Sequence, residues 1–167
     1  MTDGASTPSS EVRRAISDEF DRLHWVELES DRLLATVGIG PFAGVEQDGL
    51  SRAAVIIAAG DPAVGFVSVE LVDHEAHIAQ LSVLPEHGRH GIGRSLLDEA
   101  ILWAQGQGLT GVTLTTFRDV PWNAPFYLRV GFVEVVNPAP GLATIRRDER
   151  ERGLDAMGLR LAMRLTL

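Results

Sequence analysis

Cysteine is absent from this chain of 167 residues. Its absence excludes disulfides, thiolate metal sites and any cysteine acyl-enzyme, and leaves the redox compartment open. No apolar run approaches the roughly 18 residues of a membrane-spanning helix. The opening segment, MTDGASTPSS, lacks the charged-then-apolar pattern of a signal peptide. A soluble, cytoplasmic protein with no membrane partner is therefore expected. The histidines, His24, His74, His77, His87 and His90, include no H-x-x-x-H pair, so no metal is expected either. Tyr127 is the only tyrosine.

Apolar residues make up 45% of the chain and charged residues 23%, proportions of an ordinary globular domain. The net charge is −8, which disfavours nucleic acid and favours cationic small molecules or peptides as partners. Against that balance, the basic cluster Arg89, His90 and Arg94 stands out.

Residues 1–10 read as a disordered leader, and 11–167 as a single domain. Val12, Ile16, Phe20 and Leu23 recur at helical spacing and predict a helix over 11–24. A second helix is expected over 25–37, stopped at Gly38-Ile-Gly-Pro, with a loop over 42–49. Strand patterns follow over 53–59, 64–72 and 77–84, separated by turn residues, and predict an antiparallel meander. From Gly91 the period changes: Ile92, Leu96 and Ala100 form one helical row, Leu97, Ile101 and Ala104 the next. The strand over 112–117 comes after this crossover helix, so it should lie parallel to the strand before it. A short helix over 124–130 ends at Gly131, a suitable C-cap. A strand over 132–136, a charged helix over 142–153 and an edge-type strand over 159–165 complete the chain. The run Arg146-Arg-Asp-Glu-Arg-Glu-Arg152 reads most simply as a solvated helix face, with a homodimer contact as the sharper reading.

The glycine loop carries the chemistry. A strand runs through Leu81, Ser82 and Val83 into Gly88-Arg89-His90-Gly91-Ile92-Gly93-Arg94 and then a helix. Free N–H groups and the helix dipole at such a junction favour an anion, above all a phosphate. Gly91 and Gly93 let the backbone approach it, and Arg89 and Arg94 can add charge-assisted bonds. A dinucleotide fingerprint fails, because Leu96 stands where its third glycine belongs. A Walker loop fails for want of Gly-Lys-Ser/Thr. Gly88-Arg-His-Gly91 also matches the G-x-x-G clamp of some RNA-binding modules, which the acidic charge opposes. A plain glycine-rich turn is the remaining, non-functional alternative.

This block, with Tyr127-Leu-Arg-Val-Gly131-Phe132 downstream, resembles the GNAT superfamily of acetyl-CoA-dependent N-acetyltransferases. The resemblance covers 64–136 best. It implies a single-domain α/β fold with a mixed, mostly antiparallel sheet flanked by helices. That sheet should splay between the strands at 77–84 and 112–117. It further implies acetyl-CoA as cosubstrate, its diphosphate on the amides of Arg89, His90, Gly91, Ile92, Gly93 and Arg94. Its pantetheine would pair with the backbone of Leu81, Ser82 and Val83. Gly88 stands where the family has Gln or Arg, which moves the weight onto the backbone amides. The family's tyrosine protonates the departing thiolate, a role that falls on Tyr127; the alternative is a packed ring bonded to a carbonyl. Asn123 is either a cofactor contact or the N-cap of its helix.

An amine acceptor must lose a proton before it attacks. Glu70, between Ser68 and Val72 on its strand, is the first candidate base. Asp73, His74, Glu75, His77, Glu29 and Asp119 remain open, and for any of these carboxylates a solvated surface position is the simpler reading. Trp122 is expected either at the acceptor pocket or in packing. The implied activity is acetyl or small-acyl transfer to a primary amine, whether a small molecule, a peptide N-terminus or a lysine. A catalytically silent CoA-sensing or protein-binding relative is the alternative.

Overall fold

Val55–Ala59 reads VIIAA, and every residue in it is buried. Val55, Ile57 and Ala59 join one apolar cluster, while Ile56 and Ala58 join another on the opposite face. A strand apolar on both faces must lie inside a sheet covered on both sides. In the computed structural model, which describes residues 11–42 and 48–167, it does. The expected leader over 1–10 and most of the expected loop over 42–49 lie outside the described residues.

In chain order the strands are β1 (Val12–Arg14), β2 (Val55–Ala59), β3 (Gly65–Val72), β4 (Glu75–Val83), β5 (Gly111–Phe117), β6 (Val133–Glu134) and β7 (Arg160–Thr166). The helices are α1 (Phe20–Ala35), α2 (Asp48–Ser51), α3 (Ile92–Gly106), α4 (Ala124–Val130), α5 (Pro140–Glu151) and α6 (Leu154–Met157). The strands form one sheet of seven, ordered β1-β2-β3-β4-β5-β7-β6. Among the described strands only β4 and β5 pair in parallel, as the crossover through α3 requires. The expected mixed, mostly antiparallel α/β fold is the one observed.

α3 and α4 cover one face through Leu96, Leu97, Ala100 and Phe132 beside them. α1 covers the other through Leu23 and Val26, which meet Phe66 and Leu84. Gly65 makes room for the start of α3. A Cβ there would sit 3.0 Å from the Ser82 carbonyl and 3.3 Å from Ile92.

The N-terminal helix expected over 11–24 is corrected. Residues Val12–Arg14 form a strand on the open edge of β2, and the helix starts only at Phe20. Arg13 and the Ile16 amide both bond Glu19 and turn the chain between them. That helix then runs unbroken through the point where two helices were expected. β7, expected at an edge, lies between β5 and β6. The strand expected over 132–136 shrinks to Val133–Glu134. The charged run is not a solvated face throughout, since Arg146 and Glu149 are both buried.

Candidate functional site

β4 and β5 pair only from Ala76–Val112 to Ile78–Leu114. Beyond that point each keeps its outer partner, β3 for β4 and β7 for β5, and the two halves of the sheet part. The β3–β4 register shifts at Ser68/Val69, so that Ala79 is the extra residue of a bulge. A bulge bends its strand and breaks local pairing. It sits at the start of the gap and leaves the inner backbone edge from Ala79 to Val83 without a strand partner.

A cleft of about 1040 Å³ opens on this gap. At one end lie Leu81, Val83, Pro85, His87, Gly88, Arg89, Gly91, Ile92 and Gly93. Arg89 and Gly91 both have positive φ, 61° and 80°, and between them they fold the loop back onto the N-terminus of α3. Ser95 makes the first helical bond, to the Gly91 carbonyl. Among the described residues, none of the backbone N–H groups of residues 89–94 donates to a protein acceptor. They form the free amide run expected of an anion cradle. His90 and Arg94 lie outside the cleft wall, and Arg94 is paired with Asp98 at 2.8 Å. Ser82 is buried on the other side of β4, where its hydroxyl accepts from Gln80 at 2.8 Å.

α4 supplies the adjoining wall with Asn123, Phe126 and Arg129. Asn123 occupies the N-cap position, yet its side chain makes no capping bond. Trp122, 41% exposed, also lines the cleft. Tyr127 belongs to the core instead. Its ring meets Phe126 and Phe132 edge-on, with centroids 5.1 and 5.6 Å away. Burial raises its pKa, so the phenol stays protonated. It makes no hydrogen bond among the described residues, which leaves the carbonyl partner of the packed reading absent.

The other half of the cleft lies beneath α1. His24, Glu27, Asp31 and Leu34 follow helical spacing and form one stripe into it. Burial and the neighbouring Asp31 push Glu27 up to about 7, and burial pushes Asp31 to about 6. Among the described residues, the His24 ring lies within ion-pairing reach of Glu27, its Nδ1 3.9 Å away. Glu70 lines the same half and faces Arg52 at 3.8 Å.

The floor is a charged network that charge patterning did not disclose. Glu149 on α5 accepts from Thr115 on β5 at 2.5 Å, from Arg146 at 2.5 Å and from Arg160 on β7 at 2.8 Å. Arg146 reaches on to Asp155 at 2.9 Å. Burial would raise the Glu149 pKa, but Arg160, Thr115 and Arg146 outweigh it and hold the carboxyl below its usual range.

The other expected base candidates lie elsewhere. Asp73 caps α5, accepting from the Gly141 and Leu142 amides at 2.8 and 2.9 Å. Glu75 pairs with Arg164, and Asp119 with its neighbour Arg118. Glu29 pairs with Arg32, and none of these residues lines the cleft. His77 is 4% exposed and hydrogen-bonded to Thr113 at 3.0 Å, and burial pushes it down to about 4.

That burial has a consequence for stability. Below pH 6.5 the unfolded chain takes up a proton on His77 that the folded one refuses, so stability falls as pH drops toward 4. The whole interval amounts to about 3 kcal/mol. Glu27 and Asp31 act in the opposite sense over the same range, since acid relieves their buried charge. Comparison of wild type with His77→Asn isolates the histidine. Urea unfolding of the variant, less stable at pH 7.5, should show the gap to wild type narrowing toward pH 4; a gap constant with pH would refute this.

Sequence reasoning missed Glu27, Asp31, Arg52, Arg129 and the Glu149 network. The i, i+3, i+7 spacing of His24, Glu27 and Asp31 was the available signal, and the helix break placed at Trp25 concealed it.

The family model described as the acetyltransferase (GNAT) family matches residues 4–132. The PaiA N-acetyltransferase of Thermoplasma acidophilum, solved with coenzyme A, is 17% identical with a TM-score of 0.66, covering 94% of this chain and 98% of that one. The ribosomal-protein-S18-alanine N-acetyltransferase of Escherichia coli is 17% identical with a TM-score of 0.62, covering 93% and 92%. The N-acetylglutamate synthase of Neisseria gonorrhoeae, complexed with coenzyme A and N-acetyl-glutamate, is 20% identical with a TM-score of 0.70. It covers 94% of this chain and 35% of that one. At these identities the likeness to the solved structures is one of fold.

Proposed function

This chain belongs to the GNAT acetyltransferase family, and from that premise we propose that it transfers an acetyl or small acyl group from acetyl-CoA to a primary amine by direct attack in a ternary complex. One observation carries the reading. The unpaired amide run, through Arg89, Gly91, Ile92 and Gly93, and the unpaired edge of β4 open into the same cleft. Such a cleft suits a ligand with a diphosphate at one end and an extended, amide-bearing arm at the other.

The residues present fit that ligand. The amides of Arg89, His90, Gly91, Ile92, Gly93 and Arg94 would hold the diphosphate, with Arg89 and Arg129 adding charge at the wall. The backbone of Leu81, Ser82 and Val83 would pair with the pantetheine arm. The Asn123 side chain, which lines the cleft and makes no capping bond, would bond the same ligand. The bound thioester supplies the electrophile. Tyr127 would return a proton to the leaving thiolate, a role its protonated phenol suits. Its place in the core requires the hydroxyl to be reached from the gap rather than from the open cleft. Glu70, paired with Arg52 on the cleft wall, is in place to orient the acceptor.

Calorimetry with acetyl-CoA tests the cofactor, and absence of binding at millimolar concentration would end the reading. Free-thiol release over a panel of amines and peptides then tests transfer. The chain contains no lysine, so acetylated lysine can arise only on a peptide acceptor. Tyr127→Phe should lower kcat by about 100-fold and leave acetyl-CoA affinity intact. Unchanged turnover would remove the tyrosine from the mechanism. Binding of acetyl-CoA with no thiol release for any amine would leave a binding module.

A further inference from the structure

Among the described residues four carboxylates line the cleft: Glu27 and Asp31 on α1, Glu70 on β3 and Glu149 on α5. Glu149 is engaged by Thr115, Arg146 and Arg160, and Glu70 faces Arg52. Glu27 and Asp31 have no arginine partner among the described residues. They stand one helical turn apart on the α1 stripe that overlooks the gap. α1 itself is packed on β3 and β4, the strand whose free edge enters that gap.

From this placement we infer that Glu27 is the general base of the transfer and that Asp31 holds the acceptor, which enters as an ammonium ion. The inference rests on the acetyl-transfer reading above. The ammonium gives one proton to the Glu27 carboxylate, which passes it to solvent at the cleft mouth. The neutral amine nitrogen then bonds to the thioester carbonyl carbon, and the C–S bond breaks as the adduct collapses. The second nitrogen proton leaves with the thiol, so the products are amide, free thiol and one proton to solvent.

The charged surroundings favour this assignment. Of the elements packed against α1, β3 turns Glu70 toward the cleft and the helical turn Pro85–His87 turns His87, whereas β4 and the turn Ser17–Glu19 bring no titratable side chain to it. The cleft is further lined by Arg52, Arg89, Arg129, Glu149, Arg152 and Arg160. Glu27 therefore sits in a desolvated site with Asp31 one helical turn away and the His24 ring at 3.9 Å. Burial and Asp31 place it at about 7, where a base is half ready at neutral pH and still strong enough to take a proton.

The test combines a rate profile with a readout independent of turnover. Wild-type kcat/KM for the best amine should show an acid limb centred near pH 7. Glu27→Gln should lose that limb and about 100-fold in kcat, with acetyl-CoA affinity unchanged by calorimetry. Asp31→Asn should raise the amine KM about tenfold and move the limb to lower pH, because the like charge is gone. Glu70→Gln should keep the limb. In thermal unfolding, Glu27→Gln should melt several degrees above wild type at pH 8, and the difference should close by about pH 5 as the wild-type carboxyl protonates. A Glu27→Gln enzyme that keeps the limb and wild-type kcat overturns the inference, as does a limb lost in Glu70→Gln instead. A wild-type protein that binds acetyl-CoA but releases no thiol with any amine overturns the transfer reading, and the base with it.

Discussion

Gly91→Asp is expected to reduce acetyl-CoA affinity at least 100-fold while the protein remains folded. Gly91 has a φ of 80°, and a Cβ built on it meets nothing within 4 Å. The substitution therefore displaces no neighbour and costs only the left-handed strain of a non-glycine residue, about 1–2 kcal/mol. Its effect on the ligand is much larger. The new carboxylate stands among the free amides of residues 89–94, where the diphosphate would lie. Each charge-assisted hydrogen bond lost is worth roughly 1.5–3 kcal/mol, and two of them already exceed a hundredfold in affinity. Gly91→Ala provides the control, with the same strain but no charge, and should stay within about tenfold of wild type. Arg89→Ala should also cost about tenfold or less, since its exposed side chain only adds to a cradle built from backbone. Calorimetry at constant ionic strength reads all three. Tight binding by Gly91→Asp would show that the amides at the head of α3 hold no anion.

Glu149→Ala should destabilise the protein by about 3–5 kcal/mol, the range for breaking one side of a buried ion pair. The carboxylate is the common acceptor for Thr115, Arg146 and Arg160, which come from three different elements. Its loss leaves two guanidiniums facing an empty acceptor position. Asp155 still neutralises Arg146, at 2.9 Å, but Arg160 keeps only the Thr115 hydroxyl and the face of Phe117, 4.5 Å from its guanidinium carbon. Glu149→Gln keeps one acceptor oxygen and should lose less. The acid dependence follows from the sign of the shift. A carboxyl held below its unfolded value stabilises the fold above that value and loses the contribution as pH falls through its folded one. Wild type should thus lose stability more steeply than Glu149→Ala on acidification below about pH 4.5. Denaturant unfolding measures both effects, and a loss below about 1 kcal/mol at pH 7 would show that the network stabilises little.

The elements legible in the chain were those with a local cause. α3 shows an uninterrupted apolar stripe because one whole face of it meets the sheet. The turn between β3 and β4 was marked by Asp73-His74, and both residues adopt positive φ. The end of α4 was marked by Gly131, with a φ of 113°. Errors gathered where a remote partner decided the outcome. Val12–Arg14 has helical spacing toward Ile16 and Phe20, but the open edge of β2 captured it as a strand. α1 was read as two helices because its polar residues interrupt the apolar pattern. Those residues, His24, Glu27 and Asp31, turn into the cleft, so the interruption was itself the mark of a functional face. Arg146 and Glu149 resembled a solvated pair because the spacing is the same in water as against β7.

The amino-acid sequence by itself determined the glycine loop and the helix behind it. Free amides and left-handed glycines are backbone properties of a few consecutive residues and need no distant partner. Only the tertiary structure decided which charges serve the site. The parting of β4 from β5 draws α1, β3, α4, α5 and β7 around one cavity. Burial and pairing there separate Glu27 from Glu70 and Glu149, three carboxylates with the same chemistry in the unfolded chain.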